Sequence, residues 1–571
     1  MKHLLSCLKR YKLEAILSPL FKLLEAGMEL LVPLVVAAIV DIGIAQGDRG
    51  YIVHACLLLV GFAAVGLVFA LTAQYFAAKA AVGTSAELRK RLFNKMQSFS
   101  FTQIDDMGTS SMLTRMTSDA NQVQTGVNMT LRLFLRSPII VFGAAIMAFV
   151  VDVRAGFVFL GIIPLLAIVV FSVMAACIPR HKAVQDKLDG VYLSARENLA
   201  GARVIRAFRM EDEENEAFKH KSRALEHAQV NVGRIAALTG SLTFVLVNLA
   251  AVALIWVGAV RVNGGALDQG QVLALYNYLA LILVELIKFA NWIVTTTKAV
   301  TCMRRIGIVL DAEGEQDNTQ SAPTMSEDAP LVTFENVSFT YAGGGAPSLS
   351  GISFTAMRGE TIGVLGGTGA GKSTLVNLLP RFYEATEGRI LIGDAPIGEI
   401  PLSQLREKII GHVPQKAVLF RGTIASNLRW GNESATDEEL LKAAEIAQAL
   451  DVIEAKGGLQ AEIAQEGRNL SGGQRQRLTI ARAIAKNPEI LILDDSASAL
   501  DYATDARLRA ALRTLGCTVF LVSQRVASVM HADKILVLDE GRIADMGTHD
   551  ALMERSKLYR EIYESQTEVK A

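Results

Sequence analysis

The sequence lacks three features that would mark a nucleic-acid-binding, disulfide-bonded or secreted protein. Its 57 lysines and arginines equal its 57 aspartates and glutamates, so no net charge attracts nucleic acid. Its five cysteines follow no metal-ligand spacing, so we expect reduced, unliganded thiols. The cysteines are Cys7, Cys56, Cys177, Cys302 and Cys517. The basic N-terminal segment MKHLLSCLKRYKLEAILSPLF has no clear cleavage site, which predicts an interfacial helix leading into a membrane span rather than a removable signal peptide.

Long apolar runs fill the first half of the chain and are absent from the second half. About 20 apolar residues cross the hydrocarbon core of a bilayer, and six runs approach or exceed that length. We place the spans at about 15–45, 52–80, 134–152, 155–178, 238–262 and 270–298. The pattern predicts an all-α transmembrane domain of six helices over residues 1–310. An acidic, Ser/Pro-bearing linker is predicted over 311–330, and a second domain with shorter apolar runs over 331–571.

The connections between the predicted spans are unequal in length. Those after spans two and four run to roughly 50 residues and have a charged, amphipathic, helix-favouring composition. We therefore expect the membrane helices to continue into the cytoplasm as paired extensions with two intracellular turns, near 108–114 and 207–214. The segments near 108–116 and 207–214 are expected to dock on the second domain. An even number of spans returns the chain to its starting side. We therefore expect a multi-pass protein of the cell membrane, with its N-terminus and its second domain both in the cytoplasm.

Charged residues within the apolar runs are candidates for function, because an ionised group in hydrocarbon costs several kcal/mol unless it is paired or hydrated. Glu285 and Lys288 lie three residues apart in the sixth span. They are candidates for the substrate path, and a structural ion pair is an equally good interpretation. Snorkelling toward the interface is the favoured interpretation for Lys22 in the first span.

A glycine-rich loop follows a short β-rich run in the second domain. The run TIGVL at Thr361–Leu365 is followed at once by GGTGAGKST, which fits the phosphate-binding pattern G-x-x-x-x-G-K-[ST]. In such a loop backbone N–H groups surround phosphate, the lysine contacts the β- and γ-phosphates, and the serine hydroxyl binds Mg²⁺. We therefore expect ATP and Mg²⁺ as ligands. The expected ATP-binding residues of the loop are Gly366, Gly367, Thr368, Gly369, Ala370, Gly371, Lys372, Ser373 and Thr374.

Two further apolar runs end in polar side chains. The run LILDD ends in Asp494 and Asp495, and TVFLVSQ ends in Gln524. Apolar strands of this kind suit a parallel sheet, and ligands bind at the carboxyl ends of such strands. Asp494 is the expected partner of Mg²⁺ through water. These patterns predict an α/β P-loop domain.

A third motif, LSGGQ, precedes the helix-favouring run RQRLTIARAIAKNP. A Ser-Gly-Gly turn at a helix N-terminus offers free N–H groups to an anion. Together with the phosphate loop and LILDD, this motif resembles the ATP-binding cassette signature. The whole chain resembles an ABC exporter half-transporter, with six membrane helices fused to one nucleotide-binding domain.

The resemblance implies roles for several residues. Tyr341 is expected to stack on adenine, and Gln415 is the Q-loop glutamine that links Mg²⁺ to the membrane domain. Gln465–Arg468 occupies the segment that touches coupling helices in exporters, and the D-loop SALD ends at Asp501. In this family two cassettes meet head to tail, so the signature acts on the ATP of the partner chain, and a second half-transporter is required. The signature residues are Ser471, Gly472, Gly473 and Gln474.

Two departures from the family pattern lie at the chemistry. The general-base glutamate is replaced by Asp495, whose side chain is one methylene, about 1.5 Å, shorter; misplacing a base on that scale costs on the order of 10²-fold. The switch histidine that senses the γ-phosphate is replaced by Gln524, whose amide cannot carry imidazolium charge. The hypothesis is a heterodimeric exporter, as in asymmetric bacterial multidrug exporters, with a poorly hydrolysing ATP site on this chain.

Other functions also fit parts of the sequence. A homodimer that exports lipid or peptide with slow hydrolysis at Asp495 is one alternative, and an ATP-gated channel or regulator is another. An importer fits the cassette motifs, but importers resembling this family usually carry the two domains on separate chains. A soluble cassette protein acting on DNA or ribosomes disagrees with the six spans. Within the resembling family, hydrophobic small molecules such as drugs or lipids are the expected cargo.

Overall fold

The computed structural model describes residues 1–315, 317, 329–496 and 498–567. Most of the predicted linker therefore lies outside the described residues. The chain divides into two compact units. The first unit combines residues 1–97 with 110–312, and the second combines residues 98–109 with 313 onward.

The first unit is entirely helical, as predicted. Six helices in the described residues are long and apolar enough to cross a membrane: Lys2–Ile44, Arg49–Gln97, Thr109–Val151, Val153–Ala200, Glu211–Asn263 and Gln269–Asp311. Each has 43 to 53 residues, at least twice the roughly 20 that a bilayer core requires. The helices therefore continue beyond their membrane spans, as the charged composition of the connections predicts.

The segments up to residue 312 include short helices between the long ones, and π-helical turns interrupt two of the long ones at Ile39–Ile44 and Arg115–Asp119. The α-helices are α1 (Lys2–Leu8), α2 (Lys12–Ala38), α3 (Arg49–Gln97), α4 (Phe101–Met107), α5 (Thr109–Thr114), α6 (Ala120–Leu133), α7 (Arg136–Val151), α8 (Val153–Ala200), α9 (Ala202–Phe208), α10 (Glu211–Asn263) and α11 (Gln269–Asp311). The backbone leaves helical geometry at Gly108 (φ 70°) and Arg209 (φ 54°), within the two predicted intracellular turns.

The first unit separates an interior of closely packed residues from a lipid-facing surface. Tyr278 on α11 is fully buried, and its hydroxyl donates to the Leu30 carbonyl oxygen at 2.7 Å. By contrast Phe142, Ile146 and Val150, spaced by four residues on α7, are 65%, 62% and 71% exposed. A stripe of large apolar side chains exposed in this way suits contact with acyl chains rather than with water.

The second unit is an α/β domain, as predicted, and it contains two main sheets. Its strands are β1 (Val332–Phe339), β2 (Leu349–Ala356), β3 (Thr361–Gly366), β4 (Glu387–Ile392), β5 (Ala395–Pro396), β6 (Ile410–Val413), β7 (Gly422–Thr423), β8 (Glu462–Ile463), β9 (Ile490–Asp494), β10 (Thr518–Ser523), β11 (Lys534–Asp539) and β12 (Arg542–Gly547). Its further helices are α12 (Lys372–Leu378), α13 (Leu402–Gln404), α14 (Ile424–Leu428), α15 (Asp437–Ile446), α16 (Leu450–Lys456), α17 (Gly472–Ile484), α18 (Tyr502–Leu512), α19 (Val526–Val529), α20 (His549–Arg555) and α21 (Lys557–Thr567).

The larger sheet has six strands in the order β12-β11-β3-β10-β9-β6, and all neighbours except the β12 edge pair are parallel. Every residue of β9 and β10 is buried, as expected for apolar strands covered on both faces. The smaller antiparallel sheet has the order β2-β1-β4-β5. The parallel pairing brings the carboxyl ends of β3, β9 and β10 to one edge.

Helix α4 belongs to the second unit although the chain on either side of it belongs to the first. The Phe101 ring lies 4.4 Å from the Phe382 ring, and the Tyr383 hydroxyl donates to Asp105 at 2.7 Å. The predicted docking segment, 108–116, was thus placed too late in the sequence. Ser100 begins the helix with a capping box, and the positive φ of Gly108 ends it before most of that segment.

We expect Phe101→Ala to loosen α4 from the second unit, because an aromatic pair contributes about 1 kcal/mol beyond its buried area. Amide hydrogen exchange of residues 101–107 should then accelerate by roughly fivefold. The matched control is Phe93→Ala, which removes a phenylalanine that is 52% exposed. Unchanged exchange in Phe101→Ala would show that this ring pair does not hold the helix.

Candidate functional site

The phosphate loop links the end of β3 to the start of α12. Gly369 (φ 84°) and Gly371 (φ 92°) adopt left-handed backbone conformations that glycine tolerates and other residues rarely adopt. The Lys372 ammonium turns back into the loop and donates to the carbonyl oxygens of Gly366 at 2.9 Å and Gly367 at 2.6 Å. Burial lowers the pKa of Lys372, and the nearby Asp495 and Asp494 carboxylates oppose that shift. A bound phosphate would supply a charged partner for this buried cation.

The carboxyl end of β9 faces this loop. The Ser373 hydroxyl donates to Asp494 Oδ1 at 2.9 Å, so two of the three residues predicted at the magnesium site, which also include Gln415, are already in contact. Burial raises the pKa of the Asp494 carboxyl, and the hydrogen bond from Ser373 opposes that shift. A hydroxyl and a buried carboxylate are oxygen ligands of the kind that Mg²⁺ takes, and the cation would offset the cost of burying the charge. These residues therefore fit Mg²⁺, which would neutralise phosphate charge when bound.

Asp495 follows β9 in an unusual backbone conformation. Its φ is 45°, in the left-handed region that aspartate tolerates better than most residues. Its N–H donates to the Val522 carbonyl oxygen at 3.1 Å, and the Ser498 hydroxyl donates to its carbonyl oxygen at 2.8 Å. Gln415 Nε2 lies 3.4 Å from Asp495 Oδ2, so the Q-loop amide touches the carboxylate. Burial raises the pKa of the Asp495 carboxyl, and the bond from Gln415 opposes that shift.

One cavity of about 620 Å³ gathers most of the predicted nucleotide residues. The predicted residues that line it are Tyr341, Thr368, Gly369, Gly371, Lys372, Ser373, Thr374, Gln415, Asp494, Asp495 and Gln524. Gly366, Gly367 and Ala370 belong to the loop but do not line the cavity. The Tyr341 hydroxyl lies 3.1 Å from Thr374 Oγ1, which ties the predicted adenine platform to the phosphate loop.

The structure adds residues to the cavity wall that the sequence reasoning missed. They are Ala346, Pro347, Ser348, Val522, Glu540 and Gly541. Most lie in loops or just after β11, with no motif of their own, so their position depends on the folded sheet.

The signature motif lies outside this cavity. Ser471 begins α17 with a capping box: its hydroxyl accepts from the Gln474 N–H at 3.3 Å, and its own N–H donates to Gln474 Oε1 at 2.9 Å. Ser471 and Gly472 are exposed. A Cβ on Gly473 would lie 2.9 Å from the Ala499 carbonyl oxygen, so only glycine fits where the signature and the D-loop meet. Asp501 caps α18, accepting from the Thr504 N–H at 2.9 Å.

The two candidates for the substrate path occupy different environments. Glu285 is 1% exposed, and its carboxylate accepts from Arg136 at 2.6 Å, Ser137 at 2.8 Å and Lys288 at 2.8 Å. These contacts agree with a structural ion pair, which is one of the two interpretations of Glu285 and Lys288 that the sequence allows. The Lys288 side chain is 43% exposed and is the more accessible of the two.

Comparison with known proteins identifies the family. Residues 15–286 match the family model described as the ABC transporter transmembrane region, and residues 349–498 match the one described as ABC transporter. The YfiB ABC transporter ATP-binding protein of Bacillus subtilis is 36% identical over 567 residues, which cover 99% of this chain and 98% of that protein. The chain belongs to the ABC exporter half-transporters.

Other members of this family are similar over the whole length. The ATP-dependent lipid A-core flippase of Chromobacterium violaceum is 29% identical over 587 residues, covering 99% of this chain and 97% of that protein. A solved structure of a bacterial Atm1-family ABC exporter with ATP bound matches with a TM-score of 0.81 and 25% identity, covering 98% of this chain and 99% of that one. This half-transporter is therefore a multi-pass membrane protein whose cassette binds ATP, normally with Mg²⁺.

The last described helix of the half-transporter, α21, contacts the loop that carries Gln524. Gln566 on α21 donates from Nε2 to the Gln524 carbonyl oxygen at 2.9 Å and accepts from the Val526 N–H at 2.8 Å. One amide thus holds the backbone on both sides of Arg525. No sequence motif indicates this contact, because 40 residues separate Gln566 from Val526.

We expect Gln566→Ala to weaken ATP binding by roughly fivefold, because two partly exposed hydrogen bonds that order the Gln524 loop contribute about 1 kcal/mol together. The dissociation constant of a fluorescent ATP analogue measures the change. Gln566→Glu keeps the hydrogen-bond acceptor and loses the donor, so its dissociation constant should lie between those of the wild-type protein and Gln566→Ala. Wild-type affinity in Gln566→Ala would contradict a positioning role.

Proposed function

We propose that this half-transporter pairs with a different half-transporter in a heterodimeric exporter, and that its own ATP site binds nucleotide but hydrolyses it poorly. The observation that carries the proposal is that Asp495 and Gln524 line the same cavity as the phosphate loop. Both departures from the family pattern therefore act on one bound nucleotide. The intact signature at Ser471–Gln474 lies elsewhere and would complete the catalytic site of the partner chain.

The binding half of this site is complete. Lys372, Ser373 and Asp494 would hold the phosphates and Mg²⁺, and Tyr341 would stack on adenine. None of these residues departs from the family pattern, so nucleotide affinity is retained. ATP binding favours a closed pair of cassettes to the extent that ATP binds the closed pair more tightly, because a ligand shifts a conformational equilibrium by its differential affinity for the two states.

The hydrolytic half is weakened at two points. A general base must lie within hydrogen-bond reach of the attacking water, and the shorter side chain of Asp495 falls about 1.5 Å short of a glutamate. Gln524 offers a neutral amide to the γ-phosphate, which donates a weaker hydrogen bond than a charged imidazolium. The contact between Gln415 and Asp495 also engages the carboxylate that would act as the base.

The proposed cargo is a hydrophobic small molecule, either a drug or a lipid, moved out across the cell membrane. The relative named as a lipid A-core flippase supports an amphiphilic cargo. In the proposed topology the N-terminus and the cassette lie in the cytoplasm. ATP binding closes the cassettes, and the helical extensions carry that closure to the membrane spans.

A reciprocal substitution tests the weakened site. In the purified heterodimer, with the general base of the partner disabled, Asp495→Glu combined with Gln524→His should raise ATP turnover by about 10²-fold. The matched control is Asp550→Glu, which adds the same methylene to an exposed aspartate outside the cavity and should leave turnover low. Steady-state phosphate release is the measurement.

Two results would contradict the proposal. Robust ATP turnover by the purified lone chain would favour a homodimer with a slow but working Asp495. Failure of the double substitution to raise turnover, in a protein that still binds ATP, would mean that these two side chains do not limit hydrolysis.

A further inference from the structure

A cavity of about 390 Å³ in the membrane unit is lined mainly by cations. It lies where α2, α6, α7 and α11 meet. Lys22, Arg132, Arg136 and Lys288 line it, and Glu25 is the one carboxylate among its lining residues. Four cationic side chains around one space are unusual in a membrane segment, where each charge is costly unless it is neutralised.

Ion pairs with the protein account for three of these cations. Lys22 donates to Glu25 at 2.5 Å, and Lys288 donates to Glu285 at 2.8 Å. Arg136, which is 6% exposed, donates to both Glu29 and Glu285 at 2.6 Å. Three glutamates therefore neutralise these three cations, and none of the three carboxylates remains to neutralise a fourth.

Arg132 is the fourth cation. Among the described residues it forms no hydrogen bond or ion pair, and its Nε is buried without an acceptor. The Nε of Arg136 is also buried without an acceptor. Four cations and three carboxylates leave the cluster with one unneutralised positive charge beside the cavity.

We propose that this cavity binds the head group of an amphiphile that carries a net negative charge, such as a phosphate or carboxylate group. One anion would neutralise the excess positive charge of the cluster, and guanidinium groups match such oxyanions well. Met129 and Leu133 add apolar surface to the wall of the same cavity. The inference deepens the export function proposed above, on which it rests, by naming the class of cargo.

The depth of the cavity agrees with a head group. By the spans predicted from the sequence, Lys22, Arg136 and Lys288 lie within roughly 15 Å of the boundary near residues 15, 134 and 298. The proposed topology assigns that boundary to the cytoplasmic side. A head group held at this level leaves the acyl chains within the hydrocarbon core.

The test compares two lipids that differ in head-group charge. Binding of lysophosphatidylglycerol and of lysophosphatidylcholine with the same acyl chain is titrated by native mass spectrometry, using the purified full-length transporter in neutral detergent without nucleotide. We expect the anionic lipid to bind about tenfold more tightly. Equal affinities of the wild-type protein for the two lipids would overturn the proposal, and this result does not depend on whether any variant folds.

Arg132→Gln should abolish that preference, and it breaks no ion pair within the part of the chain that the structure describes. Arg132→Lys keeps the charge and should retain most of the preference; its complete loss in that variant would contradict a charge-based site. Arg154→Gln is the matched control, because it removes an exposed arginine of the same unit outside the cavity. A preference that survives Arg132→Gln would overturn the assignment.

Inorganic phosphate distinguishes a lipid from a free anion. At equal concentration it should not displace the lysophosphatidylglycerol, because it lacks the acyl chain; displacement would overturn the amphiphile assignment. The assay uses no ATP, so its result is independent of hydrolysis. Binding without ATP-driven export in vesicles would contradict the proposed function alone, whereas export that is indifferent to head-group charge would contradict this site alone.

Discussion

The nucleotide site depends on the parallel pairing of β3, β10 and β9. Register places Ser523 beside Leu365 and Val522 beside Asp494, so the three strands end together. The phosphate loop follows β3, Asp494 and Asp495 lie at the end of β9, and Gln524 follows β10. Because these strands are buried, shifting the strand pairing by one residue would destabilise the folded domain. The geometry of the site is therefore set by the packing of the hydrophobic core.

The same pairing explains why two departures from the family pattern that are distant in sequence lie at one cavity. Asp495 and Gln524 are separated by nearly 30 residues in the chain, yet both line the cavity of the phosphate loop. The signature begins α17, where Ser471 and Gly472 are exposed, and it does not line that cavity. This separation agrees with the dimers that exporter half-transporters typically form.

Local motifs predicted much of this arrangement. The phosphate loop, LILDD and LSGGQ are each one unbroken run of residues. Apolar patterning and capping residues indicate the strands and helices beside them. The six long helices were predicted for the same reason. Contacts that depend on tertiary structure were not: Gln566 reaches the Gln524 loop through the packing of α21, and α4 begins earlier than the predicted docking segment because Ser100 caps it. Arg132 and Arg136 lie at the boundary of the third predicted span, so the cation cluster emerges only when four helices pack together.

The account rests on the claim that this chain holds ATP while its partner hydrolyses it. The most direct measurement uses photoreactive ATP labelled in the α-phosphate, crosslinked to the heterodimer during turnover, followed by separation of the two chains and analysis of the attached nucleotide. We expect ATP on this chain and a large share of ADP on its partner. ADP formed on this chain as fast as on the partner would contradict it.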